Sequence, residues 1–383
     1  MSEHDSPSRA ATVAAFAAFL TLGVVVATYG PSIPHIETRF GIGASLAGLI
    51  VTAQFLGECA GIAAFGLTHA RWTVRQRFAV AMPLFSAGLL VAAAAPAFAL
   101  VLVALFVAGF GAGGVVILVN YSFATSYGRR SPAMLGLVNA SWGAGSFIGP
   151  ALVGAAAGYP QVLAGAGIAG LLCIAPLLGM PNGAPPLAVA PVAASSMRGL
   201  ILAFAVLLFV YTGIETGVGT WEATDLVGSG WTVQGAALAT SLYWGAFTIG
   251  RILGAPLAVR VAPERLLLPA LFVATLVLLG IRAGLISPLS FTVVGLCAGP
   301  VFPVVLSWLT RVLPNAASAM TYLILGAILG SAVLPAVLGG LIGLSGLQVM
   351  PLGVAAYAVA CFTMVTFVAV WRRRAEAVSP RPE

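Results

Sequence analysis

Long apolar segments dominate this chain of 383 residues. About twelve runs approach the roughly 20 mainly apolar residues that a helix needs to cross a bilayer. They lie near 10–33, 45–67, 77–95, 98–124, 133–158, 160–179, 199–221, 233–259, 265–284, 287–310, 316–341 and 347–371. Only 7% of the residues are charged, against about 25% in soluble domains. Because backbone groups in hydrocarbon must be paired within the segment, the runs predict membrane-spanning α-helices.

The arginines predict the orientation of these spans. When the amino terminus is placed in the cytoplasm and the spans alternate, nearly all arginines fall on the cytoplasmic side. Only Arg39 and Arg282 fall outside, and Arg251 lies within a span. Cytoplasmic loops carry the excess of basic residues. We therefore expect a multi-pass protein of the inner (cell) membrane with both termini cytoplasmic, and the net charge of +7 needs no nucleic-acid partner.

The second half of the chain repeats the first. The sequence GSFIGPALVG at 145–154 returns as GSAVLPAVLG at 330–339, and GECAG at 57–61 returns as GRILG at 250–254. Repeats at one offset indicate a duplication. The Pro-, Ala- and Ser-rich stretch between the copies predicts a cytoplasmic linker. The predicted organisation has three parts: a six-helix bundle at 1–179, a linker at 180–198 and a six-helix bundle at 199–383.

Charged residues at membrane depth are functional candidates. A charge at the bilayer centre costs about 2.5–3.5 kcal/mol on insertion scales. Glu58 and Arg251 occupy equivalent positions of the repeat, in G-E-x-x-G and G-R-x-x-G. One hypothesis is that Glu58 binds and releases a proton, and the alternative is a structural polar contact. For Arg251 we expect a gate or a helix-packing contact rather than contact with a ligand.

The seventh span carries a polar stripe. Tyr211, Glu215, Glu222 and Asp225 share one helical face by their spacing. Glu222 and Asp225 fall at the external end, where we expect a solvated acidic rim. Glu215 lies deeper and is the second acidic candidate, for carrying a proton, binding hydroxyl groups or binding a cation.

Uncharged polar and aromatic residues complete the candidate substrate cavity. Indole and amide groups suit a pyranose, whereas the same aromatic rings also suit a lipophilic cation. Interfacial anchoring and helix packing are the alternatives for such residues. The cavity candidates are Gln54, Asn120, Asn139, Trp142, Tyr211, Trp244 and Phe247.

No phosphate-binding loop, catalytic constellation or metal-ligand spacing is visible in the sequence. We therefore expect no enzymatic activity, no cofactor and no metal. An ion gradient, of protons or another cation, would supply the driving force.

The stretch GLTHARWTVR at 66–75 resembles the loop motif G-x-x-x-D-R-x-G-R-R of the major facilitator superfamily. Gly66, Arg71 and Arg75 match, and Ala70 replaces the acidic residue. The resemblance implies an all-α polytopic fold of twelve transmembrane helices in two pseudo-symmetric six-helix bundles, and transport by alternating access. It also makes Arg71 and Arg75 gating candidates. Further gating candidates, where helices can slide or bend, are Gly145, Gly149, Pro150, Arg251 and Pro335.

Two branches of the superfamily compete. The segments YTGIETGVGTW at 211–221 and SLYWGAFTIGRILG at 241–254 resemble the fucose-permease and sugar-permease branch, although Gly30 and Val116 stand where fucose permease carries acids. The fifth span resembles the drug-antiporter motif G-x8-G-x3-G-P-x2-G-G, except at Val153. We predict proton-coupled movement of a small hydrophilic, sugar-like solute by a monomer. The alternatives are proton-coupled efflux of drugs or metabolites, and a non-transporting membrane receptor or enzyme.

Overall fold

The computed structural model describes residues 7–68, 71–155, 158–181, 195–285, 287–312 and 317–378. The described part of the chain is helical and contains no strand. Most of the predicted linker at 180–198 lies outside it, as does Ala70 of the loop motif. The α-helices are α1 (Arg9–Phe40), α2 (Ala44–Ala47), α3 (Leu49–Leu67), α4 (Val74–Ala94), α5 (Phe98–Ser126), α6 (Ser131–Ala155), α7 (Tyr159–Leu177), α8 (Ser195–Gly228), α9 (Val233–Arg260), α10 (Pro263–Arg282), α11 (Pro288–Ala298), α12 (Val301–Val312), α13 (Ala317–Ser345) and α14 (Val349–Val378).

Eleven segments among the described residues are long and apolar enough to cross a membrane. Two of them combine consecutive helices, α2 with α3 and α11 with α12. Helix α6 occupies the predicted fifth span but is not one of the eleven. It packs between α1 and α9, and the polar residues Asn139, Ser141 and Ser146 lower its hydropathy. The prediction of an all-helical, multi-pass membrane protein is confirmed.

The sequence repeat corresponds to a repeated helix pairing. In the first half, Gly57 and Gly61 of α3 face the backbone carbonyls of Phe106 and Phe110 in α5. In the second half, Gly250 of α9 faces the Leu296 carbonyl of α11. A Cβ atom at any of these glycines would collide with the neighbouring backbone. Glycine therefore sets the close approach of both helix pairs.

A second pairing recurs in the same way. Gly145 of α6 faces the Leu20 carbonyl of α1, while Gly330 of α13 faces the Phe209 carbonyl of α8. Helix α1 thus packs on α6 as α8 packs on α13. In each half, the first glycine of the G-S-x-x-x-P-A-x-x-G sequence therefore allows close packing of one helix pair.

The halves contact each other closely at one end, which we call the distal end because α1 and α8 terminate there. Gly30 of α1 faces the Gly219 carbonyl of α8. Gly48 and Gly339 both lie against the indole of Trp221, and the Ser45 hydroxyl lies 3.4 Å from the Gly339 carbonyl oxygen. We name the set formed by Gly30, Ser45, Gly48, Gly219, Trp221 and Gly339 the distal seal.

Trp221 is the central side chain of the distal seal. It is fully buried, and its Nε1 donates to the Pro335 carbonyl of α13 at 2.8 Å. We expect Trp221→Phe to lower the free energy of unfolding by about 1–3 kcal/mol, because one hydrogen bond and part of a buried ring are lost. Thermal unfolding in detergent measures the change. Trp72→Phe, at an indole that is 40% exposed, is the matched control, and an equal shift in both variants would contradict the assignment.

Candidate functional site

Glu215 and Arg251, two charged residues of the second half, form an ion pair. Arg251 Nη2 of α9 lies 3.4 Å from Glu215 Oε1 of α8, and the side chains are 33% and 11% exposed. The Arg251 guanidinium also lies over the Phe247 ring, 4.8 Å from its centroid, and near the Phe302 ring of α12 at 5.3 Å. Two residues that the sequence suggested for separate roles thus belong to one unit.

Aromatic rings extend this unit across the boundary between the halves. Trp244 packs edge-on against Phe247 with centroids 5.5 Å apart. Trp142 of α6 packs edge-on against Trp244 at 6.0 Å, so α6 and α9 contribute one ring each to the boundary. We call Trp142, Glu215, Trp244, Phe247 and Arg251 the central site. The structure brings together five residues that the sequence analysis had selected on three helices.

Two tyrosines support the central site from α8 and α9. Tyr211 is fully buried one turn before Glu215. Tyr243 was not selected from the sequence. Its hydroxyl donates to the Glu215 backbone carbonyl at 2.8 Å, and its ring packs against Trp244 at 5.3 Å. The sequence signal for Tyr243 was its place immediately before Trp244.

An asparagine pair lies on the same helix as Trp142. Asn139 of α6 donates through Nδ2 to Asn120 Oδ1 of α5 at 3.0 Å, and Asn120 donates to the Val116 carbonyl at 2.9 Å. Asn139 is exposed and lies three positions before Trp142, so the two share a helix face. These amides therefore lie in line with the aromatic cluster along α6.

The acid of the first half is in a different environment. Glu58 of α3 is half-buried, and no hydrogen bond or ion pair joins its carboxylate to the described residues. One turn before it, Gln54 is fully buried and accepts a hydrogen bond from the Tyr29 hydroxyl at 2.9 Å. The Gln54 amide nitrogen has no partner within the described chain. The structure does not pair Glu58 with Arg251 or with Glu215.

The gating candidates have varied contacts. Arg71 is exposed, whereas Arg75 Nε donates to the Leu178 carbonyl at 2.7 Å. Gly149, like Gly145, packs on the α1 backbone, with the buried Pro150 beside it. Pro335 presents its carbonyl to Trp221.

Glu222 and Asp225 correct the sequence analysis. The expectation of a solvated rim is wrong, since the two side chains are only 0% and 5% exposed. Helix α8 runs on to Gly228, beyond the predicted end of the apolar run, and α1, α9 and α13 pack against it. Proximity to a helix end therefore does not bring these carboxyls to solvent.

An apolar cavity of about 530 Å³ lies apart from the central site, between α1, α6 and α7. Thr21 and Gln161 are the polar residues in its lining. No group of three or more His, Cys, Asp or Glu residues in the described ranges is arranged to hold a metal ion. The residues of the central site offer ion pairing and ring contact.

Comparison with known families identifies the class of protein. The sequence profile described as Major Facilitator Superfamily matches residues 12–283. The chain belongs to the major facilitator superfamily. The prediction from the loop motif is thus confirmed, and family membership places the chain among membrane transporters.

Solved structures of transporters share the fold. The D-xylose-proton symporter aligns with a TM-score of 0.78 at 14% identity over 93% of this chain and 96% of that chain. The peptide transporter POT in complex with sulfate gives 0.78 at 16% identity over 97% of each chain. The nucleoside transporter NupG gives 0.71 at 16% identity over 94% of this chain and 98% of that chain. Because their substrates differ, these likenesses describe the fold and leave the cargo of this member open.

Proposed function

We propose that this major facilitator protein is a proton-coupled secondary transporter that moves a small hydrophilic, sugar-like solute by alternating access. The observation that carries the proposal is the central site. The Glu215–Arg251 ion pair adjoins an aromatic cluster shared by α6 and α9. The Arg251 side chain of this pair is 33% exposed. Charged donors and acceptors beside aromatic rings are what a solute with polar edges and apolar faces requires.

The architecture we propose has twelve spans in two six-helix bundles, at 1–179 and 199–383, joined by the linker at 180–198. Its support is the recurrence of the α1–α6 and α3–α5 pairings as α8–α13 and α9–α11. Helix α6 supplies the twelfth span. Parallel repeats with a site between them are typical of this transporter class, and we propose a monomer in the cell membrane with cytoplasmic termini.

The conformation fits a state open toward the end opposite the distal seal. Gly136 near the start of α6 has no atom within 4 Å of a Cβ built on it, and Asn139 one turn later is exposed. The close glycine contacts between the halves lie from the membrane centre to the distal end. With cytoplasmic termini, this is an inward-facing state in which solute reaches the central site from the cytoplasm.

Efflux of lipophilic cations is the alternative, and the central site favours a neutral solute over it. Arg251 already neutralises Glu215 and covers the faces of Phe247 and Phe302. A second cation would have to displace it. The drug-antiporter glycines Gly145 and Gly149 pack on α1. This packing is compatible with uptake as well as efflux, so the motif does not favour efflux.

Glu58 is the residue we propose for proton coupling in the first half. It is half-buried and has no cationic partner in the described chain. A carboxylate without a partner is costly at membrane depth, so a change in its access to water favours uptake or release of a proton. Glu215 remains the coupling candidate of the second half, acting through its pairing with Arg251.

Trp142→Ala should weaken binding of the solute. The indole is half-buried and forms the first-half side of the aromatic cluster. We expect KM to rise about tenfold, equivalent to roughly 1.4 kcal/mol, with a smaller change in the maximal rate. Uptake kinetics in proteoliposomes measure both. Trp371→Ala, at an indole of α14 that is 43% exposed, is the control, and unchanged KM in Trp142→Ala would remove the aromatic cluster from the substrate site.

The proposed function is tested by recording external pH in a weakly buffered suspension of de-energised cells that make the protein. Sugars, acids and lipophilic cations are added one at a time, and cells without the protein are the control. Alkalinisation with one hydrophilic compound supports symport and identifies the solute. Acidification with apolar cations would instead show exchange for protons and overturn the proposal in favour of efflux.

A further inference from the structure

Glu222 is a buried acid that the central site does not use. Its side chain is 0% exposed, and neither carboxyl oxygen has a hydrogen-bond partner among the described residues. Asp225, one turn later on α8, is 5% exposed and leaves Oδ2 without a partner. Two adjacent carboxyls with unpaired oxygens are not explained by helix packing.

Among the described residues, no cationic side chain pairs with Glu222. From α9, the Thr240 and Tyr243 side chains face it, but the Thr240 hydroxyl donates to the Ala236 carbonyl. The described parts of α11 and α13 contain no Asp, Glu, Lys, Arg or His. Arg311 of α12 and the arginines of α14 lie at the other end of their helices.

The basic residues near the end of α1 make their contacts away from Glu222. Arg39 donates to the Tyr159 hydroxyl at 3.0 Å and to the Ala95 carbonyl at 2.9 Å. His35 lies toward Gly158. Glu37, near the end of α1, adds negative charge. In the part of the chain that the structure describes, the titratable groups that face Glu222 are thus Asp225 and Tyr243, and neither supplies positive charge.

Glu222 also adjoins the distal seal. It directly follows Trp221, whose ring lies against Gly48 and Gly339. It also lies one turn after Gly219, whose carbonyl faces Gly30 of α1. Separation of the halves at this end would expose the helix segment that carries Glu222 to water. If this opening brings water to the carboxyl, the same group is buried with the seal closed and hydrated with the seal open.

We propose that Glu222 is a proton-binding site whose occupation permits the distal seal to close. The proton binds to one carboxylate oxygen from water at the distal side while the seal is open. The neutral acid is then buried as the halves meet, since an unpaired carboxylate is far more costly to bury than an acid. The proposal rests on the proposed alternating access and adds a second-half coupling residue distinct from Glu215.

Closure of the seal can be measured directly with a cysteine pair. A Cβ built on Gly343 lies 3.4 Å from the Ser45 Cβ, close to the roughly 3.5–4.5 Å of a disulfide. Ser45→Cys with Gly343→Cys in the full chain therefore reports closure by its oxidation rate. Each single-cysteine variant gives the background from Cys59, Cys173, Cys297 and Cys361.

The rate is compared between the native and Glu222→Gln backgrounds from pH 5.5 to 8.5. The Glu222→Gln change mimics the neutral acid at every pH. In that background, the oxidation rate of the cysteine pair therefore depends on pH only through thiol ionisation. We expect the ratio of native to Glu222→Gln rates to fall at least threefold as pH rises, and Asp225→Asn to retain this fall. A constant ratio, loss of the fall in Asp225→Asn, or closure that depends on sodium at fixed pH would overturn the proposal.

Hydrogen exchange supplies a measurement without introduced cysteines. After correction for intrinsic exchange, amides of residues 43–48 should lose protection as pH rises in the native chain and keep it in Glu222→Gln. Equal protection at all pH values would overturn the proposal. Because neither measurement needs a solute, absence of proton-coupled uptake would reject the proposed function and leave these results standing.

Discussion

Glu215→Gln is expected to reduce transport about 100-fold and to lower the free energy of unfolding by about 1–3 kcal/mol. The substitution leaves the Arg251 guanidinium without its carboxylate, 3.4 Å away in the native chain. Breaking a fully buried ion pair costs about 3–5 kcal/mol. We expect less here because 33% of the Arg251 side chain is exposed, so the pair is only partly desolvated.

The double variant Glu215→Gln/Arg251→Met separates stability from function. Removing both charges of a buried pair is far less harmful to stability than removing one, so the thermal midpoint should recover toward the native value. Transport should stay reduced about 100-fold, because the proposed site then lacks its charged donors and acceptor. Thermal unfolding in detergent and uptake in proteoliposomes provide the two readings. Recovered transport in the double variant would show that the pair is structural.

The apolar runs predicted most of the helices, because hydropathy reports the lipid environment directly. Their ends were less well predicted. The seventh run was drawn to residue 221, yet α8 extends to Gly228, since burial by neighbouring helices allows acids inside the membrane-spanning segment. The sequence analysis expected Glu222 in solvent because the apolar run ends just before it.

Pairing between distant residues could not be derived from one sequence. Glu215 and Arg251 lie on α8 and α9, and their contact depends on how those helices rotate against each other. The repeat did relate Glu58 to Arg251, and the structure retains the equivalent glycine contacts of α3 and α9. The two positions nevertheless differ, because only α8 supplies a partner of opposite charge.

Glycine substitutions on α6 should change stability in opposite directions at two positions. A Cβ at Gly145 would collide with the Leu20 carbonyl of α1, whereas a Cβ at Gly136 meets nothing within 4 Å. We expect Gly145→Ala to lower the free energy of unfolding by about 1–3 kcal/mol, as overpacking does. Gly136→Ala should raise it by about 0.5–1 kcal/mol, because alanine is the better helix former.

The two variants carry the same added methyl group on the same helix, so composition and helix propensity are matched. Only the space at the α1 surface differs, and Gly330→Ala should reproduce the loss at the equivalent α8–α13 contact, where the Phe209 carbonyl blocks a Cβ. Thermal unfolding of the three variants in one detergent measures the differences. Stabilisation by Gly145→Ala would mean that α1 and α6 do not pack through this glycine, and the structural equivalence of the two repeats would lose its strongest support.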